Sequence, residues 1–202
     1  GYQISQYEQP LARNSCLTIV VSTGEMRVRI RRVHLEEDTG KLTHVNGDGD
    51  SHSLVDLNRA GVPLLEIVSE PDLHTAEQVR SYAMALRSLL RYLGVNSGDM
   101  QKGVIRIEPN VSVRPVGSPE LSTRVEIKNL NSFRALERSV AYEIERQIAA
   151  NRRGEAIIQQ TLGWDEAAGV TVPQRSKETA DDYRYFPEPD LPPLVVSSDW
   201  IA

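Results

Sequence analysis

Two segments whose apolar residues recur at helical spacing, set in a sequence that otherwise alternates with period two or breaks into turns, restrict this chain to folds in which a few helices back a sheet. In the first, Thr75 followed by Gln78 forms a capping-box signature, and Val79, Tyr82, Ala83, Leu86, Leu89, Leu90 and Leu93 share one stripe before Gly94. In the second, Ser132 is the cap, Phe133, Leu136, Val140, Ile144 and Ile148 form the stripe, and Gly154 supplies the stop. Both stripes read as core, because amphipathic surface helices have this pattern by default. Leu17 to Ser22 and Met26 to Leu35 read as a hairpin turning at Thr23-Gly24, and its second strand delivers His34-Leu35-Glu36-Glu37-Asp38. His44 to His52, rich in Gly, Asp, Asn and Ser, has the composition of a mobile surface loop. Pro63 to Ser69 reads as a buried strand broken only by Glu66. Val104 to Arg114 and Thr123 to Lys128 read as two period-two strands, and Ala156 to Trp164 with Val170 to Gln174 as a second hairpin. The proline-dense tail from Tyr183 to Val196 is expected to run extended. The expected fold class is α+β, an antiparallel or mixed sheet backed by helices.

With 202 residues, 40% of them apolar, the chain can bury a sizeable core, as one large domain or two small ones. No run of about 18 apolar residues is present to cross a bilayer, and the first ten residues lack the basic-then-apolar pattern of a signal peptide. A formal charge of −5 argues against a chain whose main work is neutralising nucleic-acid phosphates, so any RNA contact is expected to be local or made elsewhere. Cys16 is the only cysteine, which excludes an internal disulfide and fits a reducing, cytoplasmic location. The start at Gly1 and the stop at Ala202 suggest an excised piece of a longer protein.

The residues that can do chemistry lie on the expected strands. Arg106, Glu108, Asn110, Ser112 and Arg114 share one strand face, and Arg124, Glu126 and Lys128 share one face of the next. A solvated sheet face is the plain reading of such a pattern. The functional reading is a field in which carboxylates hold Mg²⁺ and guanidinium or ammonium groups hold phosphate oxygens. Glu66 strengthens it, since a carboxylate in an apolar run is costly to bury unless paired or bound to a cation. Glu36, Glu37 and Asp38 are either a solvated strand end or a metal-facing lip. No phosphate-binding G-x-x-x-x-G-K-[ST] loop exists, because Leu35 stands where the first glycine before Gly40-Lys41 belongs, and no G-x-G-x-x-G occurs. His34, His44, His52 and His74 match no zinc spacing and read as surface or supporting residues.

Five strings carry a family resemblance: 34–41 HLEEDTGK, 53–61 SLVDLNRAG, 63–72 PLLEIVSEPD, 126–133 EIKNLNSF and 182–187 DYRYFP. They resemble the B-subunit family of aspartyl/glutamyl-tRNA(Asn/Gln) amidotransferases, in the family's order and over nearly the whole chain. The resemblance implies that residues 1–202 are part of a cradle-like catalytic domain, similar to glutamine synthetase and guanidino kinases. It implies ATP and Mg²⁺ as cofactors and phosphorylation of the side-chain carboxylate of a misacylated Glu-tRNA(Gln) or Asp-tRNA(Asn). Ammonia from an amidase partner, the A subunit, would then displace the phosphate, with a small C subunit completing the complex. Metal-ligand roles carry over onto Glu37 and Glu66. Glu108 and Glu126 would support the metal, and Arg106, Arg114, Arg124 and Lys128 would neutralise phosphate oxygens. The family's commoner Asp-Ala-Asn or Asp-Val-Asn is Glu108-Pro109-Asn110 here, which lengthens the carboxylate and removes a backbone donor. The family's upstream Glu-x-His strand and its C-terminal helical and tail domains, which grip tRNA, are expected to lie outside this chain. A noncatalytic scaffold or tRNA-docking module is the rival reading, and Mg²⁺-dependent nucleotide binding separates the two.

Overall fold

The caps expected at Thr75 and Ser132 both form in the computed structural model, which describes residues 5–46 and 51–176. Thr75 accepts from the Gln78 amide and the Gln78 side chain accepts from the Thr75 amide, each at 3.2 Å, starting α1 (Ala76–Tyr92). Ser132 Oγ accepts from Ala135 N at 3.0 Å and starts α2 (Phe133–Arg152). Gly94 and Gly154, at φ of 71° and 75°, follow the two helix ends, a backbone state that glycine enters without steric cost.

The first hairpin is β1 (Ala12–Val21) with β2 (Gly24–Glu37), antiparallel from Ala12 opposite Val33 to Val21 opposite Gly24. β5 (Pro63–Ser69) lies on the other side of β2. β3 (Lys41–Asn46) and β4 (Ser51–Asp56) pair antiparallel as a separate two-stranded sheet. The last sheet is mixed, in the order β6 (Asn110–Val111), β7 (Val125–Lys128), β8 (Gln160–Asp165) and β9 (Val170–Ser176). Only β7 and β8 run parallel, as they can because α2 is the long connection between them. The result is a mixed α/β chain with two helices among the described residues.

Three expectations change. Residues 44–46 and 51–52, read as loop, are strand, because 41–46 and 51–56 pair with each other, from Lys41 opposite Asp56 to Asn46 opposite Ser51. The glycines that suggested a loop fall at 47–50, outside the described residues. Val104 to Arg114 is strand only at Asn110–Val111. Pro109 has no N–H, so its link to β7 is the single bond from Ile127 N to Pro109 O at 2.9 Å, and Pro115 bars extension beyond. Third, β5 is half-buried rather than buried, with Glu66 exposed. The tail expectation for Tyr183 to Val196 lies outside the described residues.

The chain divides into two compact units. Among the described residues, one takes in 5–10 and His34–Glu66, and the other takes in Leu11–Val33 and 67–176. In the second unit α1 serves two apolar clusters. Tyr82 packs with Ile19, Val21 and Val28 of the first hairpin, while Ala83 packs with Val111, Ile127, Leu130, Leu136 and Val140. The α2 stripe is apolar as expected through Ile144, but in the next turn Gln147 is buried and Ile148 reaches solvent. The reason is a polar seam. Buried Glu143 accepts from Arg146 at 2.6 and 2.9 Å, from Gln147 at 2.8 Å and from Thr171 of β9 at 3.1 Å, and Gln147 donates to the Val111 carbonyl of β6 at 3.0 Å. This seam holds α2 to both edge strands of the mixed sheet.

On the outer face of β2, Arg29 and Arg31 each grip a carboxylate in a two-pronged pair, Asp72 at 2.5 Å and Glu70 at 2.7 Å. The Arg29 hydrogen bonds hold the Asp72 carboxyl at about 2, down from 3.8, against the opposing effect of burial. A lowered folded pKa stabilises the fold above the unfolded value and loses that contribution as pH falls through the folded one. Because Arg29 is 66% exposed, solvent screening leaves the pair worth about 1 kcal/mol. Asp72→Asn is therefore expected to lower stability by about that amount at pH 7, with the gap to wild type closing between about pH 4 and 2, as read by urea unfolding across pH.

Candidate functional site

Strand alternation decides what the end of β2 offers. Met26, Val28 and Ile30 occupy its inward positions, and the same parity continues through Arg32 to His34 and Glu36. His34 is fully buried. Its Nε2 lies 3.1 Å from Glu36 Oε1 and 3.0 Å from Glu66 Oε2, so one ring nitrogen faces two carboxylates. Three ligand atoms, one from each residue, lie within 4.8 Å of one another. Exposure is graded across the group, from 0% at His34 through 15% at Glu36 to 46% at Glu66, which makes Glu66 the open side.

The segment before β1 secures this end of the strand. Gln6 N donates to Leu35 O at 2.9 Å, and Leu35 N donates back to Gln6 Oε1 at 3.1 Å. Ser5 Oγ donates to Glu36 Oε1 at 3.1 Å, and the Tyr7 ring meets the His34 imidazole edge-on with centroids 5.9 Å apart. His34 Nδ1 is buried with no hydrogen-bond partner among the described residues. The two ring nitrogens are therefore unlike: Nε2 is crowded with acceptors, and Nδ1 has none among the described residues.

Glu37 falls at the opposite parity of β2 and is not in the three-residue group. Asp38 is turned to structural use, pairing with Arg59 at 3.4 Å and accepting from the Thr39 amide at 3.1 Å. The reading of Glu66 as a buried carboxylate is corrected by its exposure, although a partner does meet it, in His34. Of the two alternatives read for His34, surface or supporting residue, its burial removes the first. The signal that would have found it was present: His34-x-Glu36 continues the inward parity of an apolar strand.

The second unit brings together part of the remaining set. Lys128 Nζ lies 2.8 Å from Glu108 Oε2 and 3.7 Å from Glu126 Oε1, and Thr161 Oγ1 donates to Glu126 Oε2 at 3.2 Å. Arg106 and Glu108 line a cleft of about 320 Å³ with Met100, Gln101, Gly103, Ile107 and Asn129 to Asn131. Arg114 does not join them. Its guanidinium donates to the Pro119 carbonyl at 2.8 Å, closing its own turn. Arg124 is exposed just before β7 and is not among the lining residues. The common face expected from Arg106 to Arg114 is lost because that stretch is not a continuous strand.

Comparison with known proteins follows the same residues. The family model described as the GatB/GatE catalytic domain matches residues 1–202. The chain belongs to the GatB/GatE catalytic domain family. Among its relatives, the B subunit of the aspartyl/glutamyl-tRNA(Asn/Gln) amidotransferase of Roseiflexus castenholzii is 58% identical over 202 residues, covering all of this chain and 41% of the relative. The B subunit of the same enzyme from Herpetosiphon aurantiacus is 59% identical over 203 residues, with the same coverage of each chain. That of Thermodesulfovibrio yellowstonii is 54% identical over 201 residues, covering all of this chain and 42% of the relative. This GatB/GatE-family chain thus spans about two fifths of the length of the curated relatives it matches.

The geometry of the first unit makes a direct prediction. Glu66→Gln is expected to shift the His34 ring ¹⁵N resonances in a long-range ¹H–¹⁵N correlation spectrum, because it removes the charge 3.0 Å from Nε2. Glu37→Gln is expected to leave them in place.

Proposed function

We propose that this domain is the ATP-using part of the B subunit of a tRNA-dependent amidotransferase. It activates the side-chain carboxylate of misacylated Glu-tRNA(Gln) or Asp-tRNA(Asn) for replacement by ammonia. The observation that carries the reading is the convergence of Glu36 and Glu66 on the one nitrogen of buried His34. One ring nitrogen carries at most one hydrogen, so Nε2 cannot serve two carboxylates equally well. A divalent cation is satisfied by all three donors at once: the two carboxylate oxygens suit Mg²⁺ or Mn²⁺ completed by water, and the imidazole nitrogen is a donor that the softer Mn²⁺ accepts more readily than Mg²⁺. When bound, Mg²⁺ would neutralise charge on the triphosphate and on the phosphoryl group in transfer.

The chain's own residues then divide the work. Buried His34 fixes where the ligand atoms meet, Ser5 orients Glu36, and exposed Glu66 leaves the open side from which a phosphate can approach. Of the two glutamates in the strand-end cluster, the geometry favours Glu36 over Glu37 as the ligand. In the second unit, taken by itself, Arg106 and Lys128 are the cations assigned to phosphate oxygens of the nucleotide, since guanidinium and ammonium groups hold such oxygens. Glu108 and Glu126 hold the Lys128 ammonium between them. Arg114, bound to its own turn, is not assigned a phosphate.

The remaining parts of the proposal rest on the relatives' names and the sequence resemblance. They are a glutamine synthetase-like cradle, an amidase partner (the A subunit) that supplies ammonia, a small C subunit, and tRNA held mainly by domains outside this chain. Among the described residues no helix is long and apolar enough to cross a membrane. The exposed free thiol of Cys16 fits a reducing cytosol.

In the full-length protein with its partners, Glu66→Gln is expected to cut Mg²⁺-dependent amidation of misacylated tRNA by at least about tenfold while leaving the melting temperature within about 2 °C. Lys128→Met is expected to raise KM for ATP more than it lowers kcat. If ATP binds equally well with and without Mg²⁺, or not at all, the scaffold reading replaces this one.

A further inference from the structure

The cleft that carries Arg106 and Glu108 has two walls from distant parts of the sequence. One is the loop through Met100, Gln101 and Gly103, and the other is the run Asn129, Leu130 and Asn131 that leads into α2. Neither wall is regular helix or strand. Their backbones contain left-handed residues, with φ of 65° at Gly103 and 62° at Asn129, so strand or helix ladders do not hold them in place.

One side chain of α1 holds a residue just before the first wall and another just after the second. Arg87, half-buried, donates from Nε to the Gly98 carbonyl at 2.7 Å, where the first wall's loop begins. Its guanidinium carbon stands 5.7 Å from the centre of the Phe133 ring, two residues past the second wall. The hydrogen bond and the cation–π contact use different parts of one planar group, which lysine cannot reproduce. The fit at Gly98 is close: a Cβ there would come within 2.7 Å of Arg87 Cγ, and the residue's φ is +68°. Asn96 Oδ1 accepts from the Gly98 amide at 2.9 Å and fixes the same turn.

We infer that Arg87 is a positioning residue that sets the spacing of the two cleft walls and thereby the affinity of the cleft for nucleotide. This rests on the proposed reading in which Arg106, on the cleft lining, takes phosphate oxygens of ATP. Loss of the brace lets either wall drift while leaving the apolar clusters under α1 intact. Binding of ATP should then weaken without loss of turnover at saturation.

The test uses the full-length protein in its complex with its partners and ATP as the probe, comparing Arg87→Lys, Arg87→Met, Phe133→Leu and Arg106→Ala. Both Arg87 variants are expected to raise KM for ATP roughly tenfold with kcat nearly unchanged, since a small misplacement of binding groups is enough for that. Amide hydrogen exchange should quicken at 99–103 and at 129–131 but not at 136–147. Phe133→Leu, which keeps the Gly98 bond, should loosen only the second wall and raise KM less. A lowered melting temperature with unchanged KM, rescue by lysine, or faster exchange on one wall alone in the Arg87 variants would overturn the assignment. If Arg106→Ala leaves KM for ATP unchanged, the cleft is not the phosphate site; the nucleotide reading fails and Arg87 is left as a structural brace. If Arg106→Ala raises KM and the Arg87 variants do not, only the assignment of Arg87 fails.

Discussion

The register of β2 is the constraint on which the rest depends. From Ala12 opposite Val33 to Val21 opposite Gly24, its pairing with β1 sends Val28 and Ile30 inward and turns Arg29 and Arg31 outward to Asp72 and Glu70. A slip of one residue would exchange every one of these. It would expose the apolar side chains that β2 gives to the hairpin core, bury the Arg29 and Arg31 guanidinium groups, and replace His34 and Glu36 with Leu35 and Glu37. The register that buries the hydrophobic face thus also selects which acid of the HLEED string stands beside the histidine. Core packing in one unit and the identity of the acid beside His34 in the other follow from the same alternation.

That coupling explains which parts were legible in the sequence. Both helices, their caps at Thr75 and Ser132, and the first hairpin were readable because each has a local cause: a capping side chain, a 3.6-residue stripe or a glycine turn. Glu66 was readable as a carboxylate out of place in an apolar run. The grouping around His34 was not, because histidine spacing along the chain matches no metal motif, whereas the carboxylates that meet it are Glu36, two positions on, and Glu66, brought alongside by sheet pairing. The Arg106 to Arg114 face failed for the opposite reason. Its period-two pattern is real, but Pro109 and Pro115 deny the backbone the bonds that would make alternation meaningful, so Arg114 turns to Pro119.

The polar seam of α2 was also illegible, and for a physical reason. By helical spacing Glu143 and Gln147 lie on the same face as Leu136 and Val140, but their polar side chains give no sign in the sequence of what they meet there. They are buried because the edge strands on either side of the mixed sheet present the Val111 carbonyl and the Thr171 hydroxyl, which require partners once covered. Only the packed fold reveals those demands. The same holds for Arg87, whose contacts at Gly98 and Phe133 lie far apart in the sequence and on opposite sides of β6 and β7 along it. In this domain the apolar pattern specifies the elements, and a small number of buried polar contacts specify how loops between them are held.

The central claim is that a divalent cation is received by His34, Glu36 and Glu66. Anomalous diffraction from crystals of the full-length protein grown with Mn²⁺ and a non-hydrolysable ATP analogue tests it most directly. The account predicts a manganese peak in contact with His34 Nε2 and with carboxylate oxygens of Glu36 and Glu66. A peak held by Glu37, or by Glu108 and Glu126, with none at His34, would contradict it.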